Sequence, residues 1–376
     1  MKVLVNTAST YKGGSVQVAQ SFIEECRRFK DNEYHVILGD MLGKLVDLEN
    51  YPDNFSFYKL GHRPATRVLS FKSHNDDLKA IESNTAPDVV FTTSGPAYWR
   101  PKAPHLVGYN LPHYIYRDSP FFSKIPFLKR IKWDLKGALI KYYFKIEADA
   151  YIVQTDDVNN RLKEMLGVEK VYTVSNTFSQ YYRDPIEVEN KLPERSSNEF
   201  RLLTLSAWYP HKNLEIIPEV IEEMPEMLKK EVLFVLTLPE EDFKKIFSDG
   251  HKNIINIGPV KPEEGPSLYR ECNAMFLPTL LECFSASYAE AMAMEKPIIT
   301  SDLGFAHSVC GDAALYANPM DPSDISDKIK MLIKNPSLQE KLIDNGRKRK
   351  NKFLNARERA QKYLEICQNL ISNGKN

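Results

Sequence analysis

One segment says most about this chain: Glu282-Cys283-Phe284-Ser285-Ala286-Ser287-Tyr288-Ala289-Glu290. It begins soon after the apolar run 274–277, which predicts a buried strand, and it ends in a run rich in alanine and methionine that predicts a helix. One carboxylate is therefore expected on the loop that leaves the strand, and the other a turn or two into the helix. In an open α/β sheet ligands bind at this end of the strands, and the amides of the intervening turn can face an anion.

The same alternation of short apolar runs and helical patterns extends over most of the chain. The predicted strands of the first half are 3–5, 34–38, 88–92, 105–109 and 150–154. Those of the second half are 201–205, 232–236, 254–257, 274–277 and 297–300. Such alternation is typical of parallel sheets covered by helices. We therefore predict an α/β fold with two doubly wound parallel-sheet domains and a cleft between them.

Length and composition suggest where the domains end. A chain of 376 residues is too long for one ordinary core, and between about 176 and 198 it becomes polar, charged and proline-containing. The predicted divisions are an N-terminal domain over 1–185, a linker over 186–198, a C-terminal domain over 199–355 and a C-terminal helix over 356–376. That last helix could pack back on the N-terminal domain.

Composition argues against several classes of protein. Fifty Lys and Arg balance fifty Asp and Glu, whereas a nucleic-acid-binding protein usually has a basic excess, so we expect no nucleic-acid partner. The five cysteines are scattered and form no C-x-x-C pair, which argues against a disulfide framework or zinc site and fits a cytoplasmic protein. No stretch approaches the roughly 20 apolar residues of a membrane span, and no secretory signal is expected.

A second candidate segment, 203–214, predicts a strand, a loop and then a helix. Lys212 would lie near the N-terminus of that helix, where its charge adds to the helix's partial positive end and suits a diphosphate. Taken singly, Lys212 also fits a solvated surface lysine. Glu282 and Glu290 likewise fit a helix cap and an exposed helical glutamate. The three residues together, each beside a predicted strand, favour a site for an anionic ligand.

In this context the motifs resemble those of the retaining, nucleotide-sugar-dependent glycosyltransferases of family 4, also called glycosyl transferases group 1. That family has the GT-B fold, with two Rossmann-like domains facing across a cleft. The resemblance is carried by 277–302 and 309–316, and it is strongest from Leu202 to about Ala317. It implies transfer of a sugar from a UDP- or GDP-linked donor to a hydroxyl of a glycan or lipid-linked glycan acceptor. It further implies retention of configuration and a place in surface polysaccharide biosynthesis.

The resemblance also implies roles for individual residues. Glu290 would bind the ribose hydroxyls of the donor, Glu282 would lie beside the donor sugar, and Lys212 would neutralise the diphosphate leaving group. The diphosphate or the sugar would face three backbone amides, those of Cys283, Phe284 and Ser285. The donor would sit mainly on the second domain and the acceptor on the first.

The sequence departs from the family pattern at several positions. Ala207 stands where many relatives have an arginine, so His211 is the candidate for a second phosphate cation. Cys283 stands where a glycine is usual, and His307 where a glutamate is common. Contacts with the nucleotide base are expected from the backbone around Pro259, because base contacts in this fold are often made by the backbone.

Two features of the first domain match the family. Gly13-Gly14 lies at the turn between the first predicted strand and helix, where glycine permits positive φ and close approach of the backbone to a ligand. A plain tight turn fits these glycines equally well. His113 follows a predicted strand, where relatives often have a histidine facing the acceptor or donor sugar; a structural role fits it equally well. We count Gly13 and Gly14 as candidate donor-binding residues and His113 as a candidate catalytic residue.

Several ligand motifs do not occur in the sequence. It has no G-x-G-x-x-G, no Walker A motif and no D-x-D triplet, so neither a nicotinamide site nor a metal-bridged diphosphate is indicated. With Lys212 and a helix terminus for charge neutralisation, we predict that no cofactor and no metal is required.

A basic and aromatic segment, 121–145, has two interpretations. It could be a membrane-surface helix attracted to anionic lipid, or an ordinary helix that packs its aromatic side chains inward. The resemblance favours the first, because many relatives extend lipid-linked glycans at the inner face of the cell membrane. We therefore predict a cytoplasmic protein that could associate peripherally with that face.

Two rival functions remain open at the level of sequence. A nucleotide-sugar epimerase of the same fold would need additional acidic and histidine side chains in the cleft, and no clear set is seen. A catalytically silent relative acting as a scaffold in a polysaccharide assembly complex is favoured by Ala207 and Cys283. The presence of Lys212, Glu282 and Glu290 argues against it.

Overall fold

The computed structural model describes residues 1–11, 13–69, 75–247 and 251–373, which form two compact units. Unit 1 comprises Met1–Ile115, Ile125–Asn176 and the chain from Leu354 onward, and unit 2 comprises Tyr116–Lys124 and Thr177–Phe353. Lys12 of the predicted glycine turn, and positions 374–376 of the predicted C-terminal helix, lie outside the described residues.

Unit 1 contains a parallel sheet of seven strands. The strands are β1 (Lys2–Asn6), β2 (Glu33–Leu38), β3 (Phe55–Lys59), β4 (Val89–Thr92), β5 (His105–Gly108), β6 (Ala150–Val153) and β7 (Val171–Thr173). Their order across the sheet is β3-β2-β1-β4-β5-β6-β7, with every neighbouring pair parallel. The helices between them are α1 (Gly14–Cys26), α2 (Leu42–Leu45), α3 (Pro64–Leu69), α4 (Asp76–Thr85), α5 (Pro112–Ile115), α6 (Phe127–Glu147) and α7 (Asp156–Leu166).

Unit 2 repeats this plan with six parallel strands. The strands are β8 (Phe200–Thr204), β9 (Val232–Leu236), β10 (Ile254–Asn256), β11 (Ala274–Leu277), β12 (Ile298–Ser301) and β13 (Ala314–Ala317). Their order is β10-β9-β8-β11-β12-β13. The helices are α8 (Ile217–Glu223), α9 (Glu226–Glu231), α10 (Glu240–Ile246), α11 (Gly265–Glu271), α12 (Ala286–Ala293), α13 (Gly304–Cys310), α14 (Pro322–Lys334) and α15 (Pro336–Lys350).

The last helix, α16 (Ala356–Asn373), belongs to unit 1. The ring of Tyr363 packs against those of Phe22 and Phe91, with centroid distances of 5.6 and 5.2 Å. Arg359 donates hydrogen bonds to Asn176 and to the hydroxyl of Ser21. The core of unit 1 is therefore completed by the C-terminal end of the described chain.

The units divide at positions other than those expected from composition. Unit 1 ends at Asn176 rather than at 185, and the predicted linker 186–198 lies inside unit 2. There the side chain of Leu192 is buried, and its amide donates to the carboxylate of Glu271 at 2.8 Å. The polar composition of 186–198 indicated a linker, but these contacts attach the segment to the unit that follows it.

The three strands that the sequence did not predict all lie at sheet edges. β3 and β7 are the two edges of the first sheet, and β13 is one edge of the second. An edge strand is covered on fewer sides, so its residues are less buried than those of a central strand and form no continuous buried run. The central strands have such runs and were all predicted, and the edge strand β10 was predicted as well.

The strand orders define one reversal point in each sheet. In unit 1 the chain leaves β1 in one direction and later returns to β4 on its other side. In unit 2 the same reversal occurs between β8 and β11. In doubly wound sheets ligands bind outside the carboxyl ends of the strands at this point.

Candidate functional site

The candidate site of unit 2 lies at the reversal point between β8 and β11. These two strands are adjacent and parallel, so the loops that leave their carboxyl ends meet at one edge of the sheet. The β8 loop carries Lys212 and the β11 loop carries Glu282. The fold therefore brings together two side chains that are 70 residues apart in sequence.

Lys212 is positioned by a tight turn that directly precedes a helical segment. It ends the 3₁₀ turn Pro210–Lys212, and Asn213 follows in the left-handed region at φ 58°. A further 3₁₀ turn, Leu214–Ile216, begins after Asn213 and runs directly into α8 at Ile217. Lys212 therefore lies just ahead of a helical segment, as predicted. The Asn213 side chain is buried and donates to the carbonyl of Pro319 at 2.7 Å.

Lys212 and Glu282 form a partly buried ion pair. Lys212 Nζ lies 2.5 Å from Glu282 Oε1, and the two side chains are only 10% and 12% exposed. Thr279 Oγ1 donates to the carbonyl of His211 at 3.1 Å and also lies 3.4 Å from Glu282 Oε1. The pair is neutral as a whole, so an incoming diphosphate would compete with Glu282 for the charge of Lys212.

The turn from Cys283 to Ser285 leads into α12. Ser285 is the residue that precedes the helix, and its side chain makes no capping hydrogen bond. Among the described residues, the amides of Phe284 and Ser285 donate to no acceptor. Cys283 and Ser285 are buried, and the ring of Phe284 packs edge-on against Phe353 at 5.9 Å. The open amides of a helix start are well suited to accept an anion.

Glu290 lies in the middle of α12, as predicted, and its carboxyl group has an unusual environment. Burial raises the pKa of Glu290 to about 7, while a hydrogen bond with Tyr182 and the charge of Lys212 act in the opposite direction. The side chain therefore changes charge near neutral pH. A carboxylate in this state can accept hydrogen bonds from hydroxyl groups once it is deprotonated.

Tyr182 and Gly265 were not found by the sequence analysis. Tyr182 is buried near the start of the 177–353 part of unit 2, and its hydroxyl forms a hydrogen bond with the carboxyl group of Glu290. Gly265 opens α11, where a Cβ atom would lie 2.2 Å from the Tyr182 hydroxyl oxygen. Tyr182 precedes Glu290 by more than a hundred residues and fell within the predicted N-terminal domain, so nothing in the sequence linked the two. Only the fold shows that Gly265 leaves room for this tyrosine.

His211 packs among aromatic rings beside Lys212. Its imidazole stacks on Tyr209 at 5.5 Å and meets Phe121 edge-on at 6.4 Å. Burial, together with the charge of Lys212, lowers the pKa of His211 to about 3. At neutral pH the ring is therefore uncharged, and it supplies no cation of its own to a phosphate.

Pro259 lies apart from the Lys212 pair. It follows β10, at the edge of the sheet and two strands away from β8, and its side chain is exposed. Gly258 before it has φ 76° and open space around its Cα. Neighbouring strands are about 4.8 Å apart, so a ligand would have to extend along the edge of the sheet to contact both places.

The candidate residues of the first domain lie in unit 1. Gly13 precedes α1 with φ 66°, a conformation that favours glycine, and Gly14 begins the helix. His113 lies in the short helix α5, and its ring stacks on Trp133 at 4.7 Å. The positive φ therefore explains why position 13 is a glycine. His113 packs against an aromatic ring, that of Trp133.

The reversal point of unit 1 is lined by hydroxyl and amide groups. Asn6 donates to Thr92 Oγ1 at 3.1 Å, and the hydroxyl oxygens of Thr10 and Thr93 lie 3.4 Å apart. Ser94 Oγ donates to Asn110 at 2.9 Å. In the described part of the chain, no group of three or more His, Cys, Asp or Glu is arranged to hold a metal ion.

Comparison with known proteins adds to this geometry. Residues 187–349 match the family model described as "Glycosyl transferases group 1", and this region lies within unit 2 and includes Lys212, Glu282 and Glu290. The match therefore covers the part of the chain in which Lys212 and Glu282 meet.

Two curated relatives are similar over part of the chain. An uncharacterised glycosyltransferase, MJ1178 of Methanocaldococcus jannaschii, is 24% identical over 59% of this chain and 60% of its own length. The capsular polysaccharide biosynthesis glycosyltransferase CapM of Staphylococcus aureus is 33% identical over 31% of this chain and 30% of its own length. The chain thus aligns with less than two thirds of each of these relatives.

A solved structure matches nearly the whole chain. HepE of Anabaena, determined with UDP and glucose, superposes with a TM-score of 0.68 over 98% of this chain and 100% of that one, at 13% identity. The likeness shows that the fold is GT-B, with two Rossmann-like parallel-sheet domains, as predicted.

Proposed function

We propose that this protein is a retaining glycosyltransferase of family 4 that moves a sugar from a nucleotide sugar to a hydroxyl of a glycan or lipid-linked glycan. The observation that carries the proposal is the meeting of Lys212 and Glu282 at the reversal point of unit 2, within the region that matches the glycosyltransferase family model. Glu290 on the helix that follows supplies a third polar group. A cation, an open amide turn and a carboxylate form a suitable set for a sugar diphosphate.

In the proposed reaction, the bond between the anomeric carbon and the diphosphate oxygen breaks, and its electron pair stays on the diphosphate. Lys212 and the amides of Phe284 and Ser285 stabilise that charge. The acceptor hydroxyl oxygen bonds to the anomeric carbon on the face from which the diphosphate departs, and its proton passes to the departing phosphate oxygen. The charge is neutralised by side chains and amides, so the proposed reaction requires no metal.

Glu282 is proposed to position the donor sugar rather than to attack it. Its Oε1 atom is already engaged by Lys212 at 2.5 Å and lies 3.4 Å from the hydroxyl of Thr279. When the diphosphate takes up the charge of Lys212, Glu282 keeps the Thr279 hydroxyl as a neighbour, which suits a group that holds the sugar by hydrogen bonds. Attack from the front face, with Glu282 fixing the sugar, therefore fits the contacts better than a covalent intermediate.

Glu290 is proposed to bind the ribose hydroxyls of the donor nucleotide, with Tyr182 holding its carboxyl group in place. Of the two predicted nucleotides, UDP is the first to test, because the similar structure of HepE was determined with UDP. The acceptor is proposed to bind unit 1, and a surface polysaccharide is the favoured product, since the relative CapM is named for capsular polysaccharide biosynthesis. Activity at an anionic membrane surface would suit a lipid-linked acceptor.

The proposal is tested by donor hydrolysis and by thermal stability. A nucleotide at about a hundred times its Kd should add ~2.7 kcal/mol of stability, so at one equal concentration of UDP and GDP the nucleotide that binds more tightly gives the larger gain. With the matching nucleotide sugars, slow release of nucleoside diphosphate should fall at least about tenfold in Lys212→Ala and in Glu290→Ala. Lys244→Ala, which removes an exposed lysine of α10, is the matched control and should leave the rate unchanged. Unchanged hydrolysis in both site variants, with folding intact, would overturn the assignment.

A further inference from the structure

The long helix α6 of unit 1 exposes an unusual number of large apolar side chains. Seven of them are between 39% and 73% exposed. They are Phe127, Leu128, Ile131, Leu135, Leu139, Tyr142 and Ile146. A surface helix of a water-soluble protein normally turns its apolar side inward and its polar side to solvent, so this helix needs a different explanation.

The seven side chains lie on one face of the helix. At about 100° per residue they fall within an arc of roughly 120°. The buried residues Ile140 and Phe144 point in the opposite direction, into unit 1. α6 therefore has two apolar faces, one packed in the core and one turned outward, and only the first has its partner within unit 1.

Basic residues border the outward face. On the helical projection Lys132 and Lys136 follow one border, while Lys141 and Lys145 follow the other. The acidic residues of α6 are Asp134 and Glu147, and Glu147 is buried, where it accepts hydrogen bonds from the amides of Ala97 and Tyr98. Asp134 is exposed and lies on the same border as Lys141 and Lys145, so four lysines and one acidic residue flank the apolar centre. Lysine stems can extend along an apolar phase while their ammonium groups remain in water.

We propose that α6 lies flat in the surface of an anionic lipid bilayer, with this outward face inserted and its bordering lysines at the phosphate level. Apolar burial and attraction to anionic headgroups are the two contributions that hold such helices at a membrane surface. No helix within the described residues is long and apolar enough to cross a membrane. The proposal rests on the proposed function in one respect: a lipid-linked acceptor would be found at such a membrane surface.

The structure also corrects the extent of the membrane segment. The predicted range was 121–145, but Phe121 and Phe122 are buried and belong to unit 2. Ser119 just before them donates to the carbonyl of Leu280 at 2.7 Å. The lipid-facing segment is therefore 127–146, and its first aromatic residue is Phe127.

A second copy of the chain is a less suitable partner for the same face. Two such helices packed face to face would bring the lysine-bordered margins together, and like charges at close range oppose association. An anionic lipid surface instead offers a complementary charge to both margins. Charge complementarity therefore favours lipid over self-association.

Co-sedimentation of the full-length protein with vesicles tests the proposal. Vesicles of phosphatidylcholine alone are compared with vesicles that also contain phosphatidylglycerol, at low and at high salt. We expect the protein to bind the anionic vesicles at least about tenfold more tightly, and salt to reduce that difference. The double variant Leu128→Glu/Leu135→Glu should lose at least about tenfold in affinity. Lys132→Glu/Lys136→Glu should lose binding to anionic vesicles only.

The matched control is Met227→Glu, which places the same charge at a 69% exposed apolar residue of unit 2 and should leave vesicle binding unchanged. Donor hydrolysis by the Leu128→Glu/Leu135→Glu variant should equal that of the unaltered protein, which separates this proposal from the proposed function. Equal binding of the unaltered protein to both vesicle types, or none to either, would overturn it. So would a dimer in solution that the leucine variant converts to a monomer while vesicle binding persists.

Discussion

The reversal points of the two sheets have the same topology and opposite chemistry. Between β8 and β11 the loops bring together a cation and a carboxylate, Lys212 and Glu282. Between β1 and β4 the corresponding loops bring together hydroxyl and amide groups, among them Thr10, Thr93 and Asn6. The first set suits a charged diphosphate, and the second suits a neutral ligand rich in hydroxyls. The reversal point of a parallel sheet determines where a ligand can bind, while the residues of its loops determine which class of ligand binds there.

The largest expected effect comes from removing the cation of unit 2. Lys212→Met should lower the rate of nucleoside diphosphate release by about 10²–10³-fold, because the leaving group loses its positive partner. It should also lower the melting temperature, since Glu282 is left partly buried without its counter-ion. Stopped assays of nucleotide release and thermal melts measure the two effects.

A double variant separates the two consequences of that change. Lys212→Met/Glu282→Gln removes both charges, so it should recover most of the lost stability without recovering the rate. If both properties return together, the ion pair has only a structural role, and the contrast between the two reversal points has no functional meaning.

The next effect concerns the pH dependence of nucleotide binding. The pKa of Glu290 is raised to about 7, so its carboxylate becomes available to ribose hydroxyls as the pH rises through that value. Affinity for UDP should therefore increase between pH 6 and pH 8 by more than the ionisation of UDP itself explains. The Glu290→Gln variant measures the pH dependence that comes from UDP alone, because it keeps the shape of the side chain and removes its titration. Parallel profiles for both proteins would contradict the ribose role.

The same carboxyl group predicts the pH dependence of folding without ligand. Its pKa in the folded state lies above the unfolded value, so the folded protein holds the proton more tightly. The resulting stabilisation of the folded state is fully present below pH 4.5, which is about the pKa of the unfolded state. It is lost as the pH rises through about 7, the pKa of the folded state. Denaturant melts should show a decline over this range that is smaller in Glu290→Gln.

A smaller effect is expected from the groups that hold Glu290. The hydrogen bond from Tyr182 lowers the pKa of this carboxyl group, so Tyr182→Phe should move the midpoint of the pH profile of UDP binding upward. Gly265→Ala should do the same by displacing Tyr182, at a cost of about 1–3 kcal/mol in stability. Gly61→Ala, at a glycine with open space around it, is the control. A midpoint that stays in place would remove Tyr182 from the site.

The smallest effect is expected at the reversal point of unit 1. Thr93→Val removes one hydroxyl and keeps the volume, so it should lower sugar transfer to the acceptor by roughly 2–10-fold. Nucleotide affinity and donor hydrolysis should not change, because these belong to unit 2. A loss of nucleotide affinity in this variant would show that the two regions do not divide donor and acceptor as proposed.

The sequence predicted every central strand and missed three of the four edge strands, β3, β7 and β13. Strands such as β4 and β11 are continuous apolar runs because both of their faces are covered. β3 has no buried residue along Phe55–Lys59, and β13 is buried only at its two ends, so neither stands out from its surroundings. The predicted boundary between the two units was misplaced because the segment 186–198 has the polar composition of a linker. In the structure that segment contacts unit 2.

The candidate site was predictable where its residues adjoin strands. Lys212, Glu282 and Glu290 lie in segments with a strand pattern before and a helix pattern after. Tyr182 is different, because it reaches Glu290 from a distant part of the chain and no local pattern marks it. The neutral state of His211 was also not predictable, since it depends on burial and on the proximity of Lys212.

The position of α16 has a consequence for the order of events during synthesis. All of unit 2 has been synthesised once Phe353 has been added, but unit 1 still lacks the helix that packs Tyr363 against Phe22 and Phe91. Domains generally fold as units during translation, with the N-terminal one first. Here the strands of unit 1 are made before the Thr177–Phe353 part of unit 2, and the helix that completes their core is made after it. Until then the incomplete core of unit 1 is a surface that a chaperone would recognise.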